Sequence, residues 1–152
     1  MHAFRALTIA AALAGCTASS GPSGTGFPEA FATRQCGPAD GAIVAIYLTP
    51  SAQPPEAPDG QPVPPFLRLT ILHDIDQIAG RTFTWNATGQ VEAGADRCET
   101  AGPCTSASSG VIRIEAVDQN RRTTGSYDLR LDGAPLQGSF TAPWRERLIL
   151  CG

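Results

Sequence analysis

Seven apolar residues in a row, Ala42 to Leu48 (AIVAIYL), form a β-branched run that predicts a strand. From Phe66 to His73 the pattern alternates, with Leu67, Leu69 and Ile71 on one face and Arg68 and Thr70 on the other, as in a half-buried strand. Arg81–Trp85 and Gln90–Ala93 predict a short hairpin around Ala87-Thr88-Gly89. Val111–Val117 sets Ile112, Ile114 and Ala116 against Arg113 and Glu115. Further on, Thr124–Leu131 and Leu136–Ala142 flank Asp132-Gly133-Ala134-Pro135, which is turn chemistry. Pairing Leu131 with Leu136 would set Leu129 opposite Gly138 and Tyr127 opposite Phe140. Gly125-Ser126-Tyr127 and Gly138-Ser139-Phe140 echo each other, which reads as two strands with matched requirements. A last strand over Arg145–Leu150 would direct Leu148 and Leu150 inward. Only Pro28–Arg34 suggests a short helical turn, with proline at its first position. The sum is an all-β fold, an antiparallel sandwich or small barrel of seven or eight short strands.

At 152 residues and 42% hydrophobic, the chain is long and apolar enough for one core. Gly and Pro number 16 and 13, and they gather in loops. Pro50–Pro65 alone holds seven of the 13 prolines, with P-x-x-P spacing at Pro55/Pro58 and Pro62/Pro65. It predicts a stiff, exposed inter-strand loop and the first place to seek a partner contact. All 11 basic side chains are arginine, which excludes Schiff-base, P-loop and lysine-base chemistry. A formal charge of −3 without a basic run argues against a nucleic-acid partner.

The first residues are of another kind. Met1–Arg5 carries one permanent positive charge, and Ala6–Ala14 is an uncharged apolar run too short to span a bilayer of about 30 Å. It ends in Leu13-Ala14-Gly15-Cys16. This LAGC segment resembles the lipobox of bacterial prolipoproteins, in which small residues before the cysteine fit the signal peptidase. The resemblance implies a signal peptide over residues 1–15, lipidation of Cys16, and a mature chain anchored in the cell envelope by its acyl chains. Thr17 follows the cysteine, where an Asp would favour inner-membrane retention. In a cell with two membranes this is similar to outer-membrane lipoproteins facing the periplasm. Removing residues 1–15 leaves ten arginines against 14 carboxylates, a charge of −4. Residues 16–35, with Thr17–Gly26 free of apolar period, predict a lipidated tether, and 36–152 a single β domain.

Lipidation also resolves the cysteine count. Five cysteines are awkward in an exported chain, but Cys16 is then used by the lipid. Cys98 and Cys104 bracket the turn-forming Glu-Thr-Ala-Gly-Pro and predict one disulfide. Cys36 then pairs with Cys151, joining the start of the body to its end. A four-cysteine zinc site would need C-x2-C spacing, which the chain lacks, so no metal is expected there.

The mature chain has one histidine, in His73-Asp74-Ile75-Asp76 at a strand end. It could be a divalent-cation or ligand site, or a general base oriented by a carboxylate, provided the chain turns there. As an extended segment it would place His73 and Asp74 on opposite faces, and a solvated strand end is the plainer reading. No G-x-S-x-G elbow accompanies it, and no cofactor fingerprint occurs, so no cofactor is expected. Trp85 and Trp144, if exposed side by side, could stack on a sugar or a partner; if buried, they fill the ends of the core. These features favour a membrane-anchored, non-enzymatic β domain with a binding or structural accessory role, holding the membrane by its lipid and an envelope protein as possible partner. The alternatives are an inhibitor or chaperone-like lipoprotein acting on an envelope enzyme, and a hydrolase centred on His73.

Overall fold

The computed structural model describes residues 26–37, 41–57, 60–86 and 92–147. Among the described residues ten strands form two sheets. The larger contains β1 (Glu29–Cys36), β2 (Ala42–Thr49), β3 (Phe66–Ile71), β5 (Ala93–Cys98), β6 (Thr105–Ser106) and β10 (Trp144–Arg145), in the order β10-β1-β2-β3-β5-β6. The smaller contains β4 (Thr82–Trp85), β7 (Ser109–Val117), β8 (Thr123–Leu131) and β9 (Ala134–Ala142), in the order β4-β7-β8-β9. One apolar cluster takes Val44, Ile46, Leu67 and Leu69 from the first sheet and Phe83, Ile112, Leu129 and Phe140 from the second. The sheets therefore pack face to face. The fold is a sandwich, not a barrel.

Alternation governs β3, where Leu67, Leu69 and Ile71 are fully buried and Arg68 and Thr70 face away from the core. β2 is different: every residue from Ile43 to Thr49 is buried, because both faces of this strand are covered. Odd positions of β2 join Phe31, Phe66 and Cys98 in a second apolar cluster on the outer face of the large sheet, built around Ala45 and Tyr47.

Several sequence expectations are corrected. Pro28–Arg34 is no helical turn, since Glu29–Cys36 pairs residue for residue with β2. Phe27 already belongs to the core, and β1 runs across the tether boundary predicted at residues 35 and 36. Arg81–Trp85 and Gln90–Ala93 do not form a hairpin, because β4 pairs with β7 and β5 with β3, in different sheets. In β7 a bulge between Ile114 and Ala116 turns Ala116 to solvent and lets Val117 pack on the core instead. The pairing of β10 with β1 is parallel, in an otherwise antiparallel fold. Leu148, Leu150 and Cys151 lie outside the described residues.

The C-terminal hairpin is tighter than the four-residue turn. Asp132 and Gly133 have φ of 50° and 78°, the two left-handed residues of a type I′ turn, so Leu131 pairs with Ala134 rather than Leu136. The register moves by two, and the echoed triplets acquire a reason. Tyr127 stands opposite Gly138, and Phe140 opposite Gly125. A Cβ at Gly138 would come within 2.6 Å of the Tyr127 hydroxyl, and one at Gly125 within 2.8 Å of the Phe140 ring. Trp85 covers Gly110 in the same way. Each aromatic ring lies over a glycine of the neighbouring strand, which lets bulky side chains fill a thin sandwich.

Candidate functional site

The His73-Asp74-Ile75-Asp76 segment leaves β3 and enters a short 3-10 turn, Ile75–Gln77. Asp74 caps that turn, accepting from the Ile75 N–H at 2.7 Å, and pairs with Arg34 at 3.2 Å. Asp76 is exposed. The His73 ring lies elsewhere, tilted over Phe83, with its Nε2 3.7 Å from a Glu92 carboxylate oxygen. Both ring nitrogens have an Arg81 guanidinium nitrogen at 3.5 Å. His73 and Asp74 thus have separate partners, Asp76 is turned to solvent, and the three do not converge. Among the described residues no group of three His, Cys, Asp or Glu side chains is placed to hold a metal ion.

The polar centre of the large sheet is a pair missed in the sequence. Arg68 on β3 and Asp96 on β5 stand directly opposite each other on the outer face. Arg68 Nη2 and Nε donate to the same Asp96 oxygen at 2.7 and 3.3 Å, while the other oxygen accepts from the Ser106 hydroxyl at 2.6 Å. A third Arg68 nitrogen donates to the Gln61 side-chain carbonyl at 3.2 Å. Burial works against the guanidinium charge, but the hydrogen bond and attraction of Asp96, with a smaller contribution from Tyr47, raise its pKa above the ordinary value. Arg68 stays charged at any working pH.

Two environments meet at this pair. On one side, residues 50–57 and 60–65 run back alongside each other, with Glu56 bridged to Pro62 and the Val63 N–H donating to the Pro55 carbonyl at 2.7 Å. Pro54, Gly60 and Pro62 are buried, so the segment is a flap over the outer face rather than a free loop. Two arginines pin it. Arg145 stacks over the Phe31 ring at 3.8 Å, and its guanidinium also meets the Ala52 carbonyl and Glu56. Arg147 reaches the same Glu56 carboxylate and the Gly60 carbonyl. Beneath the flap Tyr47 is stacked with Phe31 and edge-on to Phe66, and its hydroxyl accepts from Gln35 at 2.5 Å.

On the other side the face is uncovered. A cleft of about 570 Å³ opens there, with Arg68, Thr70, Gly94 and Asp96 in its floor. Ile43 and Leu72 supply apolar wall, and Gln35, Asn86 and Ser106 supply polar rim. Arg68 and Asp96 neutralise each other, so the cleft presents polar groups without net charge.

Compared with known proteins, the chain matches no family model, no curated protein and no solved structure. Fold and site must carry the functional reading between them. The tryptophans do not form a shared platform. Trp85 is buried, its indole N–H donating to the Ala107 carbonyl at 3.3 Å, and Trp144 is half-buried beneath Arg121. Cys98 and Cys104 form a disulfide with a Cα separation of 4.3 Å, fastening the β5–β6 turn beside the cleft. Cys36 is itself disulfide-bonded and lines the cleft, while Cys16 and Cys151 lie outside the described residues.

Proposed function

We propose that the chain is a cell-envelope lipoprotein, anchored through Cys16, whose β-sandwich is a non-enzymatic binding or accessory module. The cleft beside Arg68 and Asp96 is its recognition site. The single observation behind the binding role is that half of the outer sheet face is sealed by the flap while the other half opens into this cleft. Its size lies in the range of small-molecule sites. Its described ionisable groups are a mutually neutral pair with both carboxylate oxygens hydrogen-bonded. Such a lining suits an uncharged, hydrogen-bonding ligand or a polar protein segment. Lipid anchorage rests on Leu13-Ala14-Gly15-Cys16 and gives the module a fixed place in the envelope.

Two experiments test these halves. Labelled palmitate should enter the full chain and be lost in Cys16→Ser; incorporation that survives the substitution would refute the anchor. For the cleft, a Cβ at Gly94 would meet nothing within 4 Å, so Gly94→Leu starts without a clash and projects its side chain into the cavity. A photo-crosslinking residue at Thr70 in the cleft floor should capture an envelope component, and Gly94→Leu should abolish that capture. Equal capture with and without the leucine would sink the assignment.

A further inference from the structure

Sheet edges are hazards that proteins suppress with short strands, charge or bulges. The edges of the large sheet, β6 and β10, are two residues long, and β4, one edge of the small sheet, is four. The remaining edge, β9, is nine residues long, pairs with β8 without a bulge, and contains no charged residue.

Its free rail can be read from the turn. A two-residue type I′ turn closes on a hydrogen-bonded pair, here Leu131 with Ala134. Alternation along the ladder then points the backbone groups of Pro135, Gln137, Ser139 and Thr141 away from β8. Two observations agree with that phase. Pro135, which has no N–H, occupies an outward position. At the next position in the series the Pro143 carbonyl accepts from the Ala32 N–H of β1 at 2.9 Å. Between these ends, no described hydrogen bond reaches the outward N–H and C=O groups of Gln137, Ser139 and Thr141, whose side chains are also exposed.

We propose that this edge is an interface with a second copy of the chain, the two β9 strands pairing antiparallel about a two-fold axis at Ser139. Ser139 then meets its own counterpart and Gln137 meets Thr141, so each outward backbone donor and acceptor of the three residues finds a partner. A two-fold pairing sets a strand against its own sequence, where a charged side chain meets its twin nearby. The uncharged β9 avoids that conflict. Strand addition takes selectivity for a foreign peptide from side-chain pockets. The outward side chains here, Gln, Ser and Thr, supply hydrogen bonds but neither charge nor a pocket.

The test uses the full chain extracted in detergent. Hydrogen-bonded antiparallel partners have Cα atoms about 5.5 Å apart, within disulfide reach. Ser139→Cys should give a disulfide-linked homodimer on a non-reducing gel, and Asp128→Cys, exposed on neighbouring β8, should not. The unsubstituted chain should sediment as a dimer. Ser139→Pro removes one outward N–H, and Ser139→Lys opposes two ammonium groups at the axis. Each should sediment as a monomer with an unchanged far-ultraviolet spectrum. A monomeric unsubstituted chain, linkage of Ser139→Cys to a different protein, or equal crosslinking of Asp128→Cys would overturn the proposal.

Discussion

Removing Arg68 measures how much the outer face depends on one cation. Its Nη2 and Nε share one Asp96 oxygen at 2.7 and 3.3 Å, and the two side chains are 25% and 23% exposed. At an effective dielectric of 20 the Coulomb attraction of charges this close is about 4 kcal/mol before desolvation is subtracted. Fully exposed pairs retain about 0.2–1 kcal/mol, and breaking fully buried ones costs roughly 3–5 kcal/mol. A pair one-quarter exposed falls between. Arg68→Met keeps most of the aliphatic stem while removing the guanidinium donors to Asp96 and Gln61, for an expected loss of about 2 kcal/mol. In the double variant with Asp96→Asn the unpaired carboxylate is gone, so the loss should fall short of the sum of the single losses by about 1–1.5 kcal/mol. Urea unfolding followed by tryptophan fluorescence gives each value from the shift in midpoint at constant slope. Because the pair is mostly desolvated, most of the coupling should survive 1 M salt, where the Debye length is about 3 Å. Additivity within about 0.3 kcal/mol, or coupling abolished by salt, would refute this account of the site.

Other consequences are simpler to check. Gly125→Ala would place a Cβ 2.2 Å from the Arg113 carbonyl oxygen and should destabilise by about 2–3 kcal/mol in thermal unfolding. Gly94→Ala meets nothing within 4 Å and should instead gain roughly 0.5 kcal/mol; equal effects at the two sites would contradict the packing. Opening the Cys98–Cys104 loop, a sequence separation of 6, with paired serine substitutions should cost about 2 kcal/mol on the chain-entropy model, read from chemical unfolding. Glu56→Gln removes the carboxylate shared by Arg145 and Arg147 at 3.7 and 3.8 Å. Global stability should change by less than about 1 kcal/mol, while amide exchange over the flap rises; unchanged exchange would mean that the flap is held by burial alone.

The sequence made the fold class legible through period and length. Alternation in β3 and the unbroken apolar run of β2 translate directly into one covered face and two. What failed was pairing between distant segments. Phe83 and Trp85 carry a strand pattern, but their partners Ile112 and Gly110 lie beyond β5 and β6 in the chain. The nearby Ala87-Thr88-Gly89 turn signal offered a false neighbour. The helical start at Pro28 was a local preference overridden by eight residues of pairing with β2. In the C-terminal hairpin the Asp-Gly signal was sufficient by itself, and Pro135 belonged to the strand because an edge tolerates it. Candidate chemistry fared worse. His73 attracts notice as the only histidine beyond His2, yet Arg68 and Asp96 look like ordinary outward charges until β3 and β5 are known to be neighbours.

Arg68 joins the flap and the cleft. Its guanidinium holds Gln61 of the flap and Asp96 of the cleft floor, and Tyr47 beneath the flap helps keep it charged. A ligand that accepts hydrogen bonds in the cleft competes with both partners for the same few N–H groups. Drawing Arg68 toward the cleft therefore weakens the Gln61 contact, while a ligand that leaves Arg68 in place leaves the flap unchanged. One hydrogen bond to a charged group contributes roughly 1.5–3 kcal/mol at most. That bounds the coupling between cleft and flap through this arginine to about a hundred-fold in affinity, with Arg145 and Arg147 still holding the flap through Glu56. For the proposed binding role, the arrangement favours a preformed site over large-scale opening. The Glu56 contacts of Arg145 and Arg147, and the burial of Pro54, Gly60 and Pro62, restrain the flap independently of Arg68.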